Sequence, residues 1–269
     1  MRKVLTIAGS DSGGGAGIQA DIKTFQELEV FGMSAITAIT AQNTLGVQAV
    51  FPLTPDAVAE QMDSIGTDMG TDAIKTGMLF NGEIIQAVSG KIKQYGWTNV
   101  VVDPVMIAKG GASLLKLDAI SALKKYLLPI STIVTPNIPE AEELTSMKIE
   151  SLEDKKEAAR RLIDLGVKNA VIKGGHDTDP LKSNDLLYDG VNFIIFESDR
   201  IQTKNTHGTG CTFSAAIAAE LSKGIQIEKA VKTAKDFIQA AIEDQLYIGL
   251  GHGPTNHGAY RKSLRETRI

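Results

Sequence analysis

Short runs of β-branched and small apolar residues, each closed by Gly, Asp or Pro, alternate along this chain with segments of helical period. This alternation limits the fold more than any other feature. The runs are Val4–Ala8, Ala35–Thr40, Ala73–Lys75, Val100–Asp103, Thr132–Thr135 and Ala170–Lys173. Between them Ile18, Ile22, Phe25 and Leu28 recur on one helical face, as do Val58, Met62 and Ile65, then Ile84, Ile85, Val88 and Ile92, then Ala119, Leu123 and Leu127. Runs that are apolar on both faces and are joined by helices describe a parallel sheet covered on two sides. From Asp185 to Ser198 the pattern changes to that of a β-hairpin turning at Asp189-Gly190. Two helices should close the chain, from about Gly210 to Leu221 and from about Ile227 to Ile248. No linker, repeat or low-complexity tract interrupts this order. The expectation is one α/β domain over residues 1–269, with a central, mostly parallel β-sheet flanked by helices on both faces.

Composition removes several classes of function. Hydrophobic residues make up 43% of the 269, enough for a large core and too many for disorder. The 28 Lys and Arg against 32 Asp and Glu leave a net charge of −4, the wrong balance for a protein that grips nucleic-acid phosphates. Lys155-Lys156 and Arg160-Arg161 share their helix with Glu153, Asp154 and Glu157, which reads as a solvated face. Cys211 is the sole cysteine, and no Asn-x-Ser/Thr acceptor site occurs, so a reducing, cytoplasmic setting is expected. No apolar stretch approaches the ~18 residues of a membrane span. His252 and His257 lack a third ligand at zinc spacing.

Two glycine clusters mark where chemistry should sit. Gly9-Ser10-Asp11-Ser12-Gly13-Gly14-Gly15-Ala16-Gly17 falls between the first strand and its helix, either as a tight turn or as a loop that lets backbone approach a ligand. Neither the Rossmann fingerprint nor a Gly-Lys-Ser/Thr phosphate loop is present. The second cluster, Asn205-Thr206-His207-Gly208-Thr209-Gly210-Cys211, runs into the alanine-rich Ser214–Ala219 segment. Backbone N–H groups at such a helix start form an anion hole, reinforced by the positive end of the helix dipole. Charge on a transferring phosphoryl group would be stabilised there. Cys211 would lie on the first helical turn, where a thiol pKa falls from ~8.5 toward ~3.5–7.5 and the thiolate can accept a proton. The alternative is a small buried side chain, with Thr209 or Thr212 as the cap. Asp103-Pro104, Thr135-Pro136-Asn137 with Glu140, and Lys173-Gly174-Gly175-His176 each follow a strand. In an open parallel sheet, residues at the strands' carboxyl ends converge on the ligand crevice.

These residues, together with Leu5–Asp11, Gly14–Asp21, Ala41-Gln42-Asn43-Thr44, Lys75-Thr76-Gly77-Met78, Val102–Met106 and Gly253-Pro254 with His257, resemble a known family over nearly the whole chain. The chain is similar to the hydroxymethylpyrimidine/phosphomethylpyrimidine kinases of thiamine biosynthesis, relatives of bacterial pyridoxal kinases in the ribokinase-like superfamily. The resemblance implies ATP-dependent phosphorylation of 4-amino-5-hydroxymethyl-2-methylpyrimidine and then of its monophosphate. It implies that Gln42 reads the pyrimidine, that Ala16, Met78 and Val105 line its pocket, and that Asp21 reaches the pocket's polar side. Gly208, Thr209 and Gly210 correspond to the anion hole, and Cys211 stands where many ribokinase-like enzymes carry an aspartate base. Asp103 and Glu140 look like carboxylates for Mg²⁺, and Asn137 and Lys173 like nucleotide contacts. A monovalent cation and a homodimer belong to the same expectation. Some pyridoxal-phosphorylating relatives carry a second cysteine in the segment matching Ile107–Gly111, expected to act as a lid. Ala108 stands there in this chain, which demotes pyridoxine/pyridoxal kinase activity without excluding it. A pyrimidine-binding sensor without catalysis is the alternative of another class, and intact Cys211, Asp103 and Glu140 count against it.

Overall fold

A computed structural model describes residues 1–106, 117–177 and 179–266. Six strands run parallel: β1 (Lys3–Asp11), β2 (Phe31–Asn43), β4 (Ala73–Thr76), β5 (Val100–Val102), β6 (Ile133–Val134) and β7 (Asn169–Ile172). Three more, β3 (Gly46–Pro52), β8 (Asp185–Tyr188) and β9 (Phe193–Phe196), extend the edges by antiparallel pairing. Together they form one nine-stranded sheet in the order β3-β2-β1-β4-β5-β6-β7-β8-β9.

The two-residue period of each strand divides its apolar side chains between two cores. Val4, Ala73, Val101, Ile133 and Val171 point to one face, packing against α1 (Gly17–Glu27), α7 (Thr209–Ser222) and α8 (Ile227–Glu243). Leu5, Ile74, Val100, Val134 and Ile172 point to the other, packing against α2 (Pro55–Gly66), α3 (Gly82–Gln94), α4 (Leu117–Ala122), α5 (Ile138–Thr145) and α6 (Leu152–Asp164). Each fully buried Val, Leu or Ile contributes about 1.5–3 kcal/mol, so the central strands are held from both sides. Helix starts are set locally: Thr54 caps α2 just ahead of Pro55, Asn81 caps α3, and Ser151 with Asp154 makes a capping box on α6. α7 is buried on nearly every side, which its alanines permit by letting sheet and neighbouring helices approach closely. The last helix, α9 (Ala259–Glu266), packs on α8 through the rings of Tyr260 and Phe237.

The sheet and the hairpin at Asp189-Gly190 follow the sequence expectation, and three particulars do not. β3 was not expected; its Gly-Val-Gln-Ala-Val-Phe-Pro stretch is half exposed on an edge, so it lacks a continuous apolar run. The second closing helix ends at Glu243 rather than Ile248, because Asp244 leaves helical backbone at φ −88° and ψ +83°; Tyr247 and Gly249 beyond it are left-handed. Lys155 is buried and ion-paired to Asp177 rather than solvated, since α6 packs beside the loop that leaves β7. No helix among the described residues is long and apolar enough to cross a membrane. The expected lid at Ile107–Gly111 lies outside the described residues.

From β1 the chain crosses to β2 on one side, and the next parallel strand, β4, joins β1 on the other. Such a switch point opens a crevice at the carboxyl ends of the strands.

Candidate active site

The crevice is a cavity of about 870 Å³, in the range that holds a small substrate with a nucleotide. Ala16, Gln42, Met78, Val105, Asp103, Asn137, Glu140, Lys173 and the Gly208–Cys211 turn all line it. These residues come from seven separate stretches of the chain, and the carboxyl ends of the strands bring them together.

At one end of the cavity the glycine loop is organised by Asp11. Its Oδ1 accepts from Gly13 N–H at 2.8 Å, and its Oδ2 accepts from Gly15 N–H at 3.1 Å and Ala16 N–H at 2.9 Å. His207 Nε2 lies 2.8 Å from the same Oδ2 and 3.3 Å from Gln42 Nε2. A carboxylate only accepts, so His207 must donate from Nε2 to Asp11, and that nitrogen has no lone pair left for Gln42. Burial works against the Asp11 charge, but the hydrogen bond and charge of His207, with the Gly13 and Ala16 amides, hold its carboxyl below the usual range. The Gln42 amide is steadied by Thr40, whose hydroxyl lies 3.0 Å from its Oε1, and its N–H groups are left for a ligand.

The Asp11–His207 clasp draws the glycine loop against the start of α7. Gly208, the residue before that helix, has φ +84°, and a Cβ on it would fall 1.8 Å from the Gly15 carbonyl oxygen. Only glycine allows both the left-handed backbone and this approach. In the first turn of α7, which lines the cavity, Thr209 N–H donates to the Thr206 carbonyl at 3.4 Å, while the N–H groups of Gly210 and Cys211 have no intrahelical acceptors.

Facing that turn is a cluster of opposite charges. Lys173 Nζ lies 3.0 Å from Asp103 Oδ1, and a Cβ on Gly210 would be 3.4 Å from Lys173 Nζ and 3.6 Å from Asp103 Oδ2. Asp103 Oδ2 is buried with no hydrogen-bond partner among the described residues. Glu140 closes a capping box with Asn137 at the start of α5: its Oε2 accepts from Asn137 N–H at 2.8 Å, and Asn137 Oδ1 accepts from Glu140 N–H at 2.9 Å. Burial pushes Glu140 up to about 7 against the pull of Lys173. Burial also opposes the Lys173 charge, but Asp103 and Glu140 hold its ammonium above the ordinary range. Among the described residues no three His, Cys, Asp or Glu side chains gather as a metal cage. Mg²⁺ needs only one or two carboxylates beside phosphate oxygens and water, and the partnerless Asp103 oxygen with Glu140 fits that donor set.

Two expectations are corrected. Asp21 does not reach the cavity: it is fully buried, with Oδ2 2.9 Å from Lys75 Nζ and 2.5 Å from Thr6 Oγ1. The early turn of α1 aims it inward beneath the pocket floor. Cys211 lies on the first turn of α7 as expected, but its thiol pKa is not lowered. Burial pushes it up to about 11, and Lys75 only partly offsets that.

The structure also brings in groups that the sequence did not single out. Asp11 and His207 are 196 positions apart, and no local pattern joins them. Arg200 donates to the carbonyls of Gly174, Gly175, Asp177 and Asp179 and so straps the loop that follows β7. Lys235 on α8 pairs with Asp185 and lines the same cavity.

A family model described as phosphomethylpyrimidine kinase matches residues 11–256. The hydroxymethylpyrimidine/phosphomethylpyrimidine kinase of Bacillus subtilis (strain 168) is 56% identical to this chain, over 98% of each. Among solved structures, an ADP complex of Bacillus subtilis pyridoxal kinase matches with a TM-score of 0.90 at 45% identity, covering 97% of this chain and 99% of that one. A Staphylococcus aureus pyridoxal kinase in complex with AMP-PCP and pyridoxal matches with a TM-score of 0.89 at 43% identity, covering 97% and 95%.

Proposed function

The chain belongs to the phosphomethylpyrimidine kinase family, and from that premise we propose which of its residues carry each part of the reaction. It is a ribokinase-like, ATP-dependent phosphotransferase of thiamine biosynthesis, acting on hydroxymethylpyrimidine and on its monophosphate. In our reading residues 1–269 form one kinase domain, and both substrates meet at the first turn of α7. The observation that carries this reading is that one cavity joins that turn to Gln42 at one end and to Lys173 and Asp103 at the other.

The pyrimidine ring lies against Ala16, Met78 and Val105, and the free N–H groups of Gln42 meet its ring nitrogen edge. Its hydroxymethyl group points to Cys211. Lys173 and Asn137 hold the nucleotide, and the Gly208-Thr209-Gly210 backbone with the α7 dipole stabilises the charge on the transferring phosphoryl group. Mg²⁺, held by Asp103 and Glu140, would neutralise charge on the nucleotide phosphates. Cys211 receives the hydroxyl proton. In a loose transition state that proton leaves late, so little driving force is asked of the sulfur. We further propose a cytoplasmic homodimer. Exposed Ile39 and Phe51 on the β2–β3 edge, with Leu45 at its turn, support it as an apolar contact.

A second reading, phosphorylation of pyridoxal or pyridoxine, is favoured by the likeness to pyridoxal kinase structures. It is weakened by Ala108, which leaves Cys211 without a second thiol to capture an aldehyde. ATP consumption with hydroxymethylpyrimidine, its monophosphate and pyridoxal, each with and without Mg²⁺ and with K⁺ or Na⁺, tests both. The pyrimidines should turn over faster than pyridoxal and only with Mg²⁺. Faster turnover of pyridoxal installs the second reading, and binding without ATP consumption would install the sensor.

A further inference from the structure

Gln42 is held by both its main chain and its side chain, and the second hold decides which way its amide faces. The Ser12 hydroxyl in the glycine loop donates to the Gln42 carbonyl and accepts from the Gln42 N–H, each at 2.9 Å, so the end of β2 is pinned there. The side-chain amide lies between two neighbours, with Oε1 3.0 Å from Thr40 Oγ1 and Nε2 3.3 Å from His207 Nε2. A half-turn about the last side-chain bond exchanges those two positions without moving any other group, because O and NH₂ are nearly equal in size.

The two neighbours are not indifferent to that exchange. The Thr40 hydroxyl also lies 3.0 Å from the Ser10 carbonyl oxygen, which can only accept. A hydroxyl has a single proton, so once Ser10 takes it the Thr40 oxygen must accept from Gln42. His207 Nε2 carries the proton that it gives to Asp11 at 2.8 Å, so a Gln42 N–H facing it sets donor against donor. Both neighbours therefore ask for one arrangement: the Gln42 nitrogen toward Thr40, and its oxygen toward His207, whose ring N–H it shares with Asp11. Thr40 and His207 are both buried, where an unmet donor or acceptor is costly. One N–H and one oxygen lone pair of Gln42 then remain side by side for the cavity that Gln42 lines. An aminopyrimidine presents the complementary edge, a ring nitrogen that accepts beside an amino group that donates. Pyridoxal, with its hydroxymethyl group placed in the same way, presents its ionised phenolic oxygen and its aldehyde oxygen, which only accept. Those two oxygens suit the reverse arrangement, in which both N–H groups of Gln42 are free.

We propose that Thr40 and His207 are positioning residues for Gln42: they fix its amide with nitrogen toward Thr40 and oxygen toward His207, and this orientation selects an aminopyrimidine over pyridoxal. The pairing of Gln42 with the pyrimidine is thereby two-sided, N–H to ring nitrogen and oxygen to amino group. This selectivity rests on the pyrimidine-kinase reading of the cavity given above.

The test follows ATP consumption with hydroxymethylpyrimidine, with its analogue that has hydrogen in place of the amino group, and with pyridoxal, which is also run as a competitor of the pyrimidine. Wild type should show a KM for the analogue about tenfold or more above that for the parent, because the Gln42 oxygen is left unpaired. That penalty should vanish in Gln42→Leu. Thr40→Val keeps the shape and loses the hydroxyl. It should raise KM for hydroxymethylpyrimidine about tenfold, with kcat and KM for ATP little changed and pyridoxal bound as well as by wild type or better. Thr40→Ser keeps the hydroxyl and should keep the wild-type preference. A merely structural Thr40 predicts equal losses with both substrates, and that result, or an unchanged preference in Thr40→Val, overturns the proposal. Should Thr40→Val not fold, the wild-type comparison decides: equal KM for analogue and parent, or a penalty that persists in Gln42→Leu, overturns it as well. Hydroxymethylpyrimidine left unconsumed by wild type instead overturns the kinase reading itself, before any variant is compared.

Discussion

Replacing Gly208 by alanine should damage the enzyme in two separable ways. At φ +84° an L-residue carries a penalty of roughly 1–2 kcal/mol. The added Cβ would also stand 1.8 Å from the Gly15 carbonyl oxygen, where real contacts stop near 3.0 Å, so that carbonyl must retreat by about 1.2 Å. Gly15 N–H is bonded to Asp11, which holds His207, so the retreat opens the clasp and moves the first turn of α7 away from the glycine loop. A displacement of this size costs about 10² in rate, and loss of one anion-hole donor costs about 10²–10³. Gly224, just beyond the other end of α7, provides the control: its φ is +82°, and nothing lies within 4 Å of where a Cβ would stand. Gly224→Ala should therefore lose only the backbone term, about 1–2 kcal/mol by urea unfolding, with wild-type kcat. Gly208→Ala should lose more stability than that and about 10²–10³ in kcat in the ATP-consumption assay. A Gly208→Ala enzyme with near-wild-type turnover would refute the assignment of this turn to the transferring phosphoryl group.

Gln42→Leu keeps bulk but leaves the pyrimidine edge unpaired, at about 1–3 kcal/mol, so KM for the pyrimidine should rise about tenfold or more. A change confined to KM for ATP would move Gln42 to the other half of the site. Cys211→Ala leaves the backbone amides in place and should lower kcat by about 10²–10⁴ with little change in ATP affinity, and Cys211→Asp should recover part of it. Wild-type turnover in the alanine variant would make Cys211 a filler. His257, bonded to Thr212 at 3.0 Å, is pushed by burial, with the charge of Lys23, from 6.5 down to about 4. The folded chain thus holds it neutral: its contribution is complete above pH 6.5 and is lost as pH falls toward 4, by up to about 3 kcal/mol. Urea unfolding of His257→Asn between pH 7 and 4.5 should show a flatter loss of stability than wild type. An equal slope would assign the acid sensitivity elsewhere.

The sequence by itself determined the layered architecture, because periodicity is a local property. A run apolar on both faces can only be a strand covered twice, and the glycine clusters between strand and helix mark backbone exposed to a ligand. It also pointed to most of the residues that line the crevice. Gln42, Asp103, Asn137 and Lys173 each stand at or just beyond the carboxyl end of a strand, and in a parallel sheet those ends must meet. What it left open depends on distance in space. β3 and the true end of α8 turn on edge exposure and on a break from helical backbone at Asp244, which leave little trace in hydrophobic pattern. Asp11 and His207 meet only because the glycine loop and the start of α7 close on each other. Asp21 and Cys211 show most clearly what tertiary structure alone decided. From its position early in α1, the carboxylate reads equally well as a pocket residue, yet the fold aims it at Lys75. From its helix start, the thiol reads as acidified, yet the charge a buried group carries is set by the water it has lost and the counter-charges packed around it. For Cys211 those are Lys75, Asp21 and Asp103, delivered by three elements far apart in the chain.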